Sequence, residues 1–189
     1  MPIDWRPPRL ETPRLILRGI EESDADAVFA YASSPTLTRY TLWDFHKDMN
    51  DTVAFVRDYA AAGYLEKLPD PYAICLKSDP DRVIGTLGAS WAKRINRTME
   101  LGYVLSEVYH GQGMTPEAAR AVVAHLFAEY DVERVQAHCM TPNVASARVM
   151  EKIGMTFEGT LRSALFHRGA FWDMHMYSIL RAELVSGER

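Results

Sequence analysis

The sequence predicts a mixed α/β fold in which helices pack against a central mixed, largely antiparallel and twisted sheet. Two hairpin patterns, one in the middle of the chain and one at its end, indicate antiparallel strands. Between them, a strictly alternating segment gives way to a long helical stripe. With 189 residues, of which 48% are hydrophobic and 24% charged, the chain fits one domain, residues 1–189.

The first part of the chain predicts an extended arm, one short strand and two helices. Residues 1–13 contain four prolines and are expected to be extended. A short strand is expected over 14–18. Ser23 or Asp24 is placed to cap a first helix, and the near-helical spacing of apolar residues predicts a second helix over 52–62.

Alternating apolar residues define the strands in the middle of the chain. The turn-forming residues 77–81 separate strands that are expected over 72–76 and 82–87. A third strand is expected over 98–105, where alternation is strict. Its apolar face carries Met99, Leu101, Tyr103 and Leu105, and its other face carries Glu100, Gly102 and Val104.

The last part of the chain predicts a helix, a strand, a short helix and a hairpin. A continuous apolar stripe predicts a helix over 115–130, and a strand is expected over 134–139. Asn143 is placed to cap a short helix that stops at Gly154. The chain closes with two strands, expected over 157–166 and 170–180, which are joined by a turn at 168–169.

Composition argues against several classes of ligand and location. The net charge of −4 argues against nucleic acid as a partner. No apolar run approaches the roughly 18 residues of a membrane span, so no membrane partner is expected. The first residues lack the apolar stretch of a secretory signal, so the cytoplasm is the expected location. Cys75 and Cys139 are expected to be buried free thiols, and no metal site is expected because no pair of ligands has suitable spacing.

The segment His110-Gly111-Gln112-Gly113-Met114-Thr115, just before the long helix, predicts an anion site. Its two glycines let backbone N–H groups turn toward one point, and the first N–H groups of a helix attract negative charge. Pro116 costs little in that first turn. A plain glycine-rich turn is the alternative. The segment lacks the lysine of a Walker loop, and it lacks both the third glycine and the preceding parallel βαβ context of a dinucleotide fingerprint.

This loop and its flanks resemble the GNAT superfamily of N-acetyltransferases, whose cofactor loop reads Arg/Gln-x-x-Gly-x-Gly/Ala. Gly113 matches that pattern, while His110 and Thr115 stand at its ends in place of the commonest residues. Residues 99–105 resemble the family's cofactor-pairing strand. Residues 143–155 resemble its Asn-x-x-Ser…Lys-x-Gly-Phe segment.

The resemblance narrows to the ribosomal-protein N-terminal acetyltransferases, the RimJ/RimL-like subfamily. Residues 10–18 resemble its opening strand, and 158–162 with 169–173 resemble its closing hairpin. The matching segments span nearly the whole chain in the expected order.

The resemblance implies the GNAT fold and an N-acetyltransferase that carries an acetyl group from acetyl-CoA to a primary amine. A protein or peptide N-terminus is the leading acceptor. A small amine, such as a polyamine, an antibiotic or an amino-acid derivative, is the second, and a CoA-binding module without catalysis is the third. The resemblance also allows a homodimer, since relatives are often dimers.

The resemblance further implies where the cofactor lies. The pyrophosphate would bind the loop, and the pantetheine arm would lie beside the strand that ends at Tyr103, Val104 and Leu105. The backbone N–H of Val104 would face the oxyanion. The cofactor contacts implied by the family are Tyr103, Val104, Leu105, His110, Gly111, Gln112, Gly113, Met114, Thr115, Asn143 and Ser146.

The catalytic residues are less clearly marked. Many GNAT enzymes use a tyrosine as acid where this chain has Met150. The ribosomal subfamily carries a serine three residues after the asparagine, and this resemblance implies Ser146 as the candidate acid, with a cofactor hydrogen bond or a helix contact as its alternative role. Glu100 is the candidate base, with a sheet salt bridge as its alternative role. Subfamily members carry a glutamate where this chain has Leu165, and His167 is the backup base.

Two other observations bear on the acceptor side. His138, on the strand before Asn143, is a weaker candidate base. The aromatic segment 40–46, together with Trp91, either walls the acceptor pocket or packs in the core.

Overall fold

The structure, a computed structural model, describes residues 5–186. Within that range the strands form a mostly antiparallel eight-stranded sheet flanked by helices, which confirms the predicted mixed α/β class. The strands are β1 (Leu10–Glu11), β2 (Leu15–Gly19), β3 (Tyr72–Leu76), β4 (Asp79–Lys93), β5 (Thr98–Leu105), β6 (Arg134–Met140), β7 (Thr156–His167) and β8 (Ala170–Leu180). The helices are α1 (Ala25–Ala32), α2 (Met49–Ala54), α3 (Ala60–Leu65), α4 (Met114–Glu129), α5 (Val144–Lys152) and α6 (Arg181–Ser186).

The chain divides into two compact units. Unit 1 comprises residues 5–90 and 102–122, and its strands follow the order β1-β2-β3-β4-β5. Unit 2 comprises residues 91–101 and 123–186, with the order β5-β6-β8-β7. A single domain over 1–189 stays a prediction. So does the extended arm, whose residues 1–4 lie outside the described range.

The core of unit 1 forms between β2, β3 and the first helices. Leu15 and Leu17 are fully buried, and Tyr64 of α3 accepts a hydrogen bond from the Ile20 N–H at 2.9 Å. Asp24 is the N-cap residue of α1, as predicted, but its side chain makes no cap hydrogen bond to that helix. The carboxylate pairs with Arg18 at 2.7 Å and accepts a hydrogen bond from the Glu21 N–H at 2.8 Å. Burying that carboxylate requires a cationic partner, which outweighs a cap.

Two local predictions in unit 1 differ from the structure. The second helix starts at Met49 rather than residue 52, because the Asp48 carboxylate accepts hydrogen bonds from two backbone N–H groups there. It continues through a π-helical turn, Phe55–Tyr59, to Leu65. The hairpin turn is tighter than 77–81, since Leu76 already pairs with Asp79.

The segment from β5 through α4 to β6 is a parallel crossover. Thr98, Met99 and Glu100 pair with Arg134, Val135 and Gln136. The expectation that the loop has no parallel βαβ context is therefore wrong. Parallel pairing joins residues far apart in sequence, which local patterns do not reveal. The buried stripe of α4 is confirmed, as Ala118, Val122 and Leu126 are all fully buried.

The closing hairpin of unit 2 is confirmed. β7 and β8 pair antiparallel, and β8 also pairs with β6. Arg168 and Gly169 form the turn with positive φ angles of 49° and 78°. Cys75 and Cys139 are buried free thiols, as predicted. No helix within residues 5–186 is both long and apolar enough to cross a membrane.

Candidate active site

The loop before α4 presents its backbone to solvent. Gly111 and Gly113 have φ angles of 75° and 76°, which side chains disfavour. A Cβ at Gly111 would meet nothing within 4 Å, and one at Gly113 would meet only the Arg14 guanidinium at 3.7 Å. Since the Glu117 N–H bonds the Gly113 carbonyl at 3.2 Å, the N–H groups of the first turn point toward the loop. This open cradle of N–H groups fits a diphosphate.

Two side chains of the loop, His110 and Gln112, hydrogen-bond to nearby backbone carbonyls. The His110 Nε2 donates to the Leu105 carbonyl at 2.7 Å, which fastens the loop to the end of β5. The Gln112 amide donates to the Val108 carbonyl at 3.1 Å. The phosphate contact predicted for His110 would therefore use its other ring nitrogen, Nδ1.

Glu117 and Arg14 hold the loop from outside, and the sequence did not reveal them. The Glu117 carboxylate accepts hydrogen bonds from the Thr12 hydroxyl at 2.6 Å, the Arg14 N–H at 2.9 Å and the Arg14 guanidinium at 2.7 Å. Arg14 also donates to the Gln112 carbonyl at 2.9 Å. The opening strand is thus fastened to the glycine-rich loop.

We expect Glu117→Gln to reduce the free energy of unfolding by about 1 kcal/mol at pH 7. Burial opposes ionisation of Glu117, but hydrogen bonds from Thr12 and Arg14 outweigh it, so its pKa is lowered. A carboxyl group whose pKa is lower in the folded state stabilises the protein at pH values above its pKa in the unfolded state. This stabilisation disappears as the pH falls through its pKa in the folded state. Urea unfolding should therefore show the two proteins converging below about pH 4.

The control for that variant is Glu129→Gln, an exposed glutamate at the other end of α4. It should change the free energy of unfolding little at either pH. If Glu117→Gln reduced the free energy of unfolding equally at pH 7 and at low pH, the ionised Glu117 carboxylate would not be what stabilises the loop.

The end of β5 is packed tightly against β4. A Cβ at Gly85 would lie 2.4 Å from the Val104 carbonyl oxygen, so only glycine permits this approach. The Ser106 N–H donates to the Ile84 carbonyl at 2.8 Å. Leu105 is buried, and Val104 packs on the apolar cluster of unit 1. The backbone of Tyr103, Val104 and Leu105 is therefore held in a fixed position.

Glu100 lies at the centre of a polar cluster in unit 2. The Gln136 amide donates to its carboxylate at 2.9 Å, and His138 Nδ1 lies 3.3 Å from its other oxygen. Glu100 pairs with Gln136 across β5 and β6, and His138 is two residues further along on the same face. The sequence underrated His138 because the parallel pairing was not predicted.

The two ionisable groups of this cluster stabilise each other's charge. The hydrogen bond from His138 lowers the pKa of Glu100, against the opposing effect of burial. The same hydrogen bond raises the pKa of His138. At neutral pH Glu100 is therefore a carboxylate, half-buried, beside a histidine that readily holds a proton. Such a pair suits electrostatic attraction of an ammonium and acceptance of its proton.

Asn143 and Ser146 mark the start of α5. The Asn143 side chain accepts a hydrogen bond from the Ser146 N–H at 3.2 Å, which confirms the predicted cap. The Ser146 side chain lies beside the Cys139 thiol. Burial raises the pKa of Cys139 to about 11, so this thiol stays protonated and is no nucleophile at neutral pH.

Comparison with known proteins identifies the family of this chain. Residues 14–156 match the family described as acetyltransferase (GNAT) domain. This chain belongs to the GNAT acetyltransferase family. GNAT enzymes use acetyl-CoA as co-substrate, so the predicted fold, the acetyl-CoA-dependent N-acetyltransferase activity and the co-substrate are confirmed.

Similar proteins include an uncharacterized N-acetyltransferase, YoaA of Bacillus subtilis (strain 168), which is 33% identical over 174 residues, 92% of this chain and 97% of YoaA. The ribosomal-protein-serine acetyltransferase of Escherichia coli (strain K12) is 31% identical over 98 residues, 52% of this chain and 55% of that protein. An acetyltransferase (GNAT family) from Bacillus anthracis superposes with a TM-score of 0.84 at 28% identity, covering 93% of this chain and all of the other. The predicted kinship with ribosomal-protein acetyltransferases is confirmed.

This GNAT enzyme departs from the expected catalytic pattern at two positions. Met150 is fully buried and offers no proton. Leu165 pairs with Trp172, and His167 pairs with Ala170 at the tip of the β7–β8 hairpin. His138 pairs with Met176, six residues along β8 from Ala170, or roughly 20 Å of strand. The structure thus brings His138 to Glu100 and leaves His167 at the far end of the hairpin.

The aromatic segment of this GNAT enzyme partly lines a cavity in unit 1. Trp43 and His46 contribute to its wall. Trp91, in unit 2, lies under the Arg94 guanidinium, 5.3 Å from ring centroid to Cζ, and its place in an acceptor-pocket wall stays a prediction. Within residues 5–186, no group of three His, Cys, Asp or Glu side chains is placed to hold a metal ion.

Proposed function

We propose that this enzyme acetylates the α-amine of a protein or peptide N-terminus. The observation that carries the proposal is the ionised Glu100, held by His138 and Gln136 where the pairing of β5 with β6 ends. A carboxylate there attracts an ammonium and accepts its proton. Similarity to the ribosomal-protein-serine acetyltransferase supports a protein N-terminus as the acceptor.

In this proposal acetyl-CoA supplies the acetyl group as a thioester. The N–H groups of residues 111–115 bind its pyrophosphate, and Asn143 with Ser146 contacts the pantetheine arm. The β5 edge over 103–105 pairs with that arm, since pairing with β6 ends at Glu100. The Val104 N–H donates to the thioester oxygen and stabilises its developing charge.

Glu100 acts on the amine through water. Glu100 and Val104 lie on the same face of β5, four residues apart, which is about 13 Å along the strand. In this proposal a water bridges the amine and the Glu100 carboxylate. The proton taken from the amine passes through that water to the Glu100 carboxylate and returns from it to solvent.

Ser146 relays a proton to the departing thiolate, donating its hydroxyl proton and regaining one from solvent water. We expect Ser146→Ala to lower kcat by about tenfold or more, because proton donation is lost, and to change the acetyl-CoA Kd by no more than about twofold. Steady-state kinetics and calorimetry measure the two quantities. Ser146→Thr keeps a hydroxyl and should retain most of the activity. A weakened Kd with unchanged kcat would make Ser146 a cofactor ligand only.

A thiol-release assay with acetyl-CoA tests the proposed acceptor. Peptides with a free N-terminus are offered beside a panel of polyamines, aminoglycosides and amino-acid amides. Turnover of peptides supports the proposal, and turnover of small amines alone contradicts it. Acetyl-CoA binding without turnover of any acceptor favours a module that has lost catalysis.

Two accompanying proposals concern assembly and location. A homodimer is supported by the edge strand β7, where Phe157, Leu161 and Phe166 are 49%, 50% and 64% exposed. Light scattering measures the mass in solution. A cytoplasmic location agrees with the proposed protein substrate, and fractionation of cells that express the chain tests it.

A further inference from the structure

The glycine-rich loop has no lysine or arginine of its own for the diphosphate that it is proposed to bind. Residues 105–119 include two carboxylates, Glu107 and Glu117, and their only basic side chain is His110. The N-terminus of α4 contributes only partial positive charge, because that charge comes from unpaired backbone N–H groups. A full cation that neutralises the diphosphate must therefore come from another part of the chain.

Arg14, the residue before β2, places its guanidinium at this loop. Its Nη1 donates to the Gln112 carbonyl at 2.9 Å. Its Nη2 lies 3.7 Å from the position that a Cβ of Gly113 would occupy. Among residues 5–186, apart from the chain neighbours of Gly113, no other atom comes within 4 Å of that position. The guanidinium is therefore the charged group closest to the Gly113 side of the cradle.

The Glu117 carboxylate fixes the orientation of that guanidinium. Its Oε2 accepts a hydrogen bond from Arg14 Nε at 2.7 Å and lies 2.7 Å from Nη2. Its Oε1 accepts from the Thr12 hydroxyl and the Arg14 N–H. A guanidinium has more N–H groups than these contacts and the Gln112 bond use, and the Arg14 side chain is 47% exposed. Donors therefore remain for a ligand at the loop.

The ion pair also removes a repulsion that the first turn of α4 would otherwise exert on an anion. Glu117 lies in that turn. Although burial opposes its ionisation, hydrogen bonds from Thr12 and Arg14 lower the pKa of Glu117, so the carboxylate is charged at neutral pH. An unpaired carboxylate there would repel a phosphate. Arg14 offsets that charge, and a guanidinium binds phosphate oxygens through charge-assisted hydrogen bonds.

We propose that Arg14 donates hydrogen bonds to the pyrophosphate of acetyl-CoA and supplies the positive charge that the glycine-rich loop lacks. Glu117 is then a positioning residue, which holds the guanidinium beside Gly113. This inference rests on the proposed function, in which residues 111–115 bind the pyrophosphate. It adds a cofactor contact from a residue that lies 98 positions before Gln112 in the chain.

The test compares the wild type with Arg14→Gln by titration calorimetry, using CoA and dephospho-CoA without an acceptor. We expect Arg14→Gln to weaken the binding of both by about tenfold or more, the value of one hydrogen bond between charged groups. The Kd of the variant should also rise less steeply with NaCl concentration, because one ionic contact is lost. An unchanged Kd, a loss confined to CoA, which alone carries the 3′-phosphate, or a weaker Kd with the salt dependence of the wild type would overturn the inference.

Arg14→Lys is the milder variant. It keeps the charge but loses the planar fork of N–H groups, so it should weaken CoA binding by only about threefold and keep the salt dependence of the wild type. A loss as large as that of Arg14→Gln, together with a shallower salt dependence, would contradict a role for the charge of Arg14.

Glu117→Gln separates a phosphate contact from simple fastening of the loop. If Arg14 binds the pyrophosphate, Glu117→Gln should change the Kd for CoA by no more than about threefold. The double variant Arg14→Gln/Glu117→Gln should then bind CoA more tightly than Arg14→Gln alone, because no unpaired carboxylate is left to repel the phosphate. If both single variants and the double variant weaken CoA binding equally, Arg14 only fastens the loop and the inference fails.

The matched control is Arg9→Gln, which removes the same charge from the same segment. Arg9 pairs with Glu11 at 3.1 Å, and its side chain is 53% exposed. Its Kd values and salt dependence should equal those of the wild type, and an equal weakening would attribute the effect to net charge. Gly113→Val separates this inference from the proposed function. If it weakens CoA binding while Arg14→Gln does not, only the Arg14 contact is wrong; if neither does, the loop is not the pyrophosphate site.

Discussion

Gly113→Val is expected to weaken acetyl-CoA binding by about a hundredfold. The left-handed backbone at Gly113, with φ 76°, costs a side-chain-bearing residue about 1–2 kcal/mol, and a β-branched one more. Relaxing that strain turns the neighbouring N–H groups away from the pyrophosphate, and each lost hydrogen bond to a charged group costs about 1.5–3 kcal/mol. A total near 3 kcal/mol corresponds to about a hundredfold in Kd, which titration calorimetry measures.

The control is Gly169→Val. Gly169 has nearly the same φ, 78°, and open space around its Cβ position, but it lies at the tip of the closing hairpin. It bears the same conformational strain, so it should reduce stability similarly while leaving the Kd unchanged. Equal Kd values for the wild type and Gly113→Val would exclude the loop as the pyrophosphate site.

Glu100→Gln is expected to lower kcat by about a hundred- to a thousandfold, the usual contribution of a general base. The glutamine side chain has the size of glutamate and still forms hydrogen bonds, but it cannot accept a proton from the amine. Without the carboxylate, the pKa of His138 should fall, since its hydrogen bond to Glu100 is what raises it. Steady-state kinetics gives the first effect, and NMR titration of His138 gives the second.

The control for that substitution is Glu158→Gln. Glu158 is another carboxylate of unit 2, paired with Arg134 at 2.5 Å, which lowers the pKa of Glu158 to about 2. Its loss should reduce stability and leave kcat intact. If Glu100→Gln loses stability in the same way and keeps its kcat, Glu100 is a sheet salt-bridge residue and the base lies elsewhere.

Local patterns were sufficient to predict most of the secondary structure. The alternation over Thr98–Leu105 and the stripe of α4 reflect burial on one face, which a short window of sequence records. Asn143 capped its helix as expected because the cap depends only on residues three positions away. The early start of α2 was missed although Asp48 is a good cap, since the apolar spacing begins only at residue 52.

Contacts between distant residues explain what the sequence did not reveal. Glu117 meets Thr12 and Arg14 across about a hundred residues of chain. His138 reaches Glu100 only because β5 and β6 pair in parallel, which needs the whole intervening helix. Both groups consist of common polar and charged residues whose types say nothing about their partners. The resemblance to a family supplied the cofactor, but the positions of the side chains required the fold.

The most direct test of the account is the location of the transferred acetyl group. A peptide with a free seryl N-terminus and an internal lysine is incubated with acetyl-CoA, and the products are mapped by fragmentation mass spectrometry while released thiol is counted. The account predicts one acetyl group on the α-amine for each thiol released, and loss of both with Glu100→Gln. Acetylation confined to the lysine, or thiol release without acetylated peptide, would contradict it.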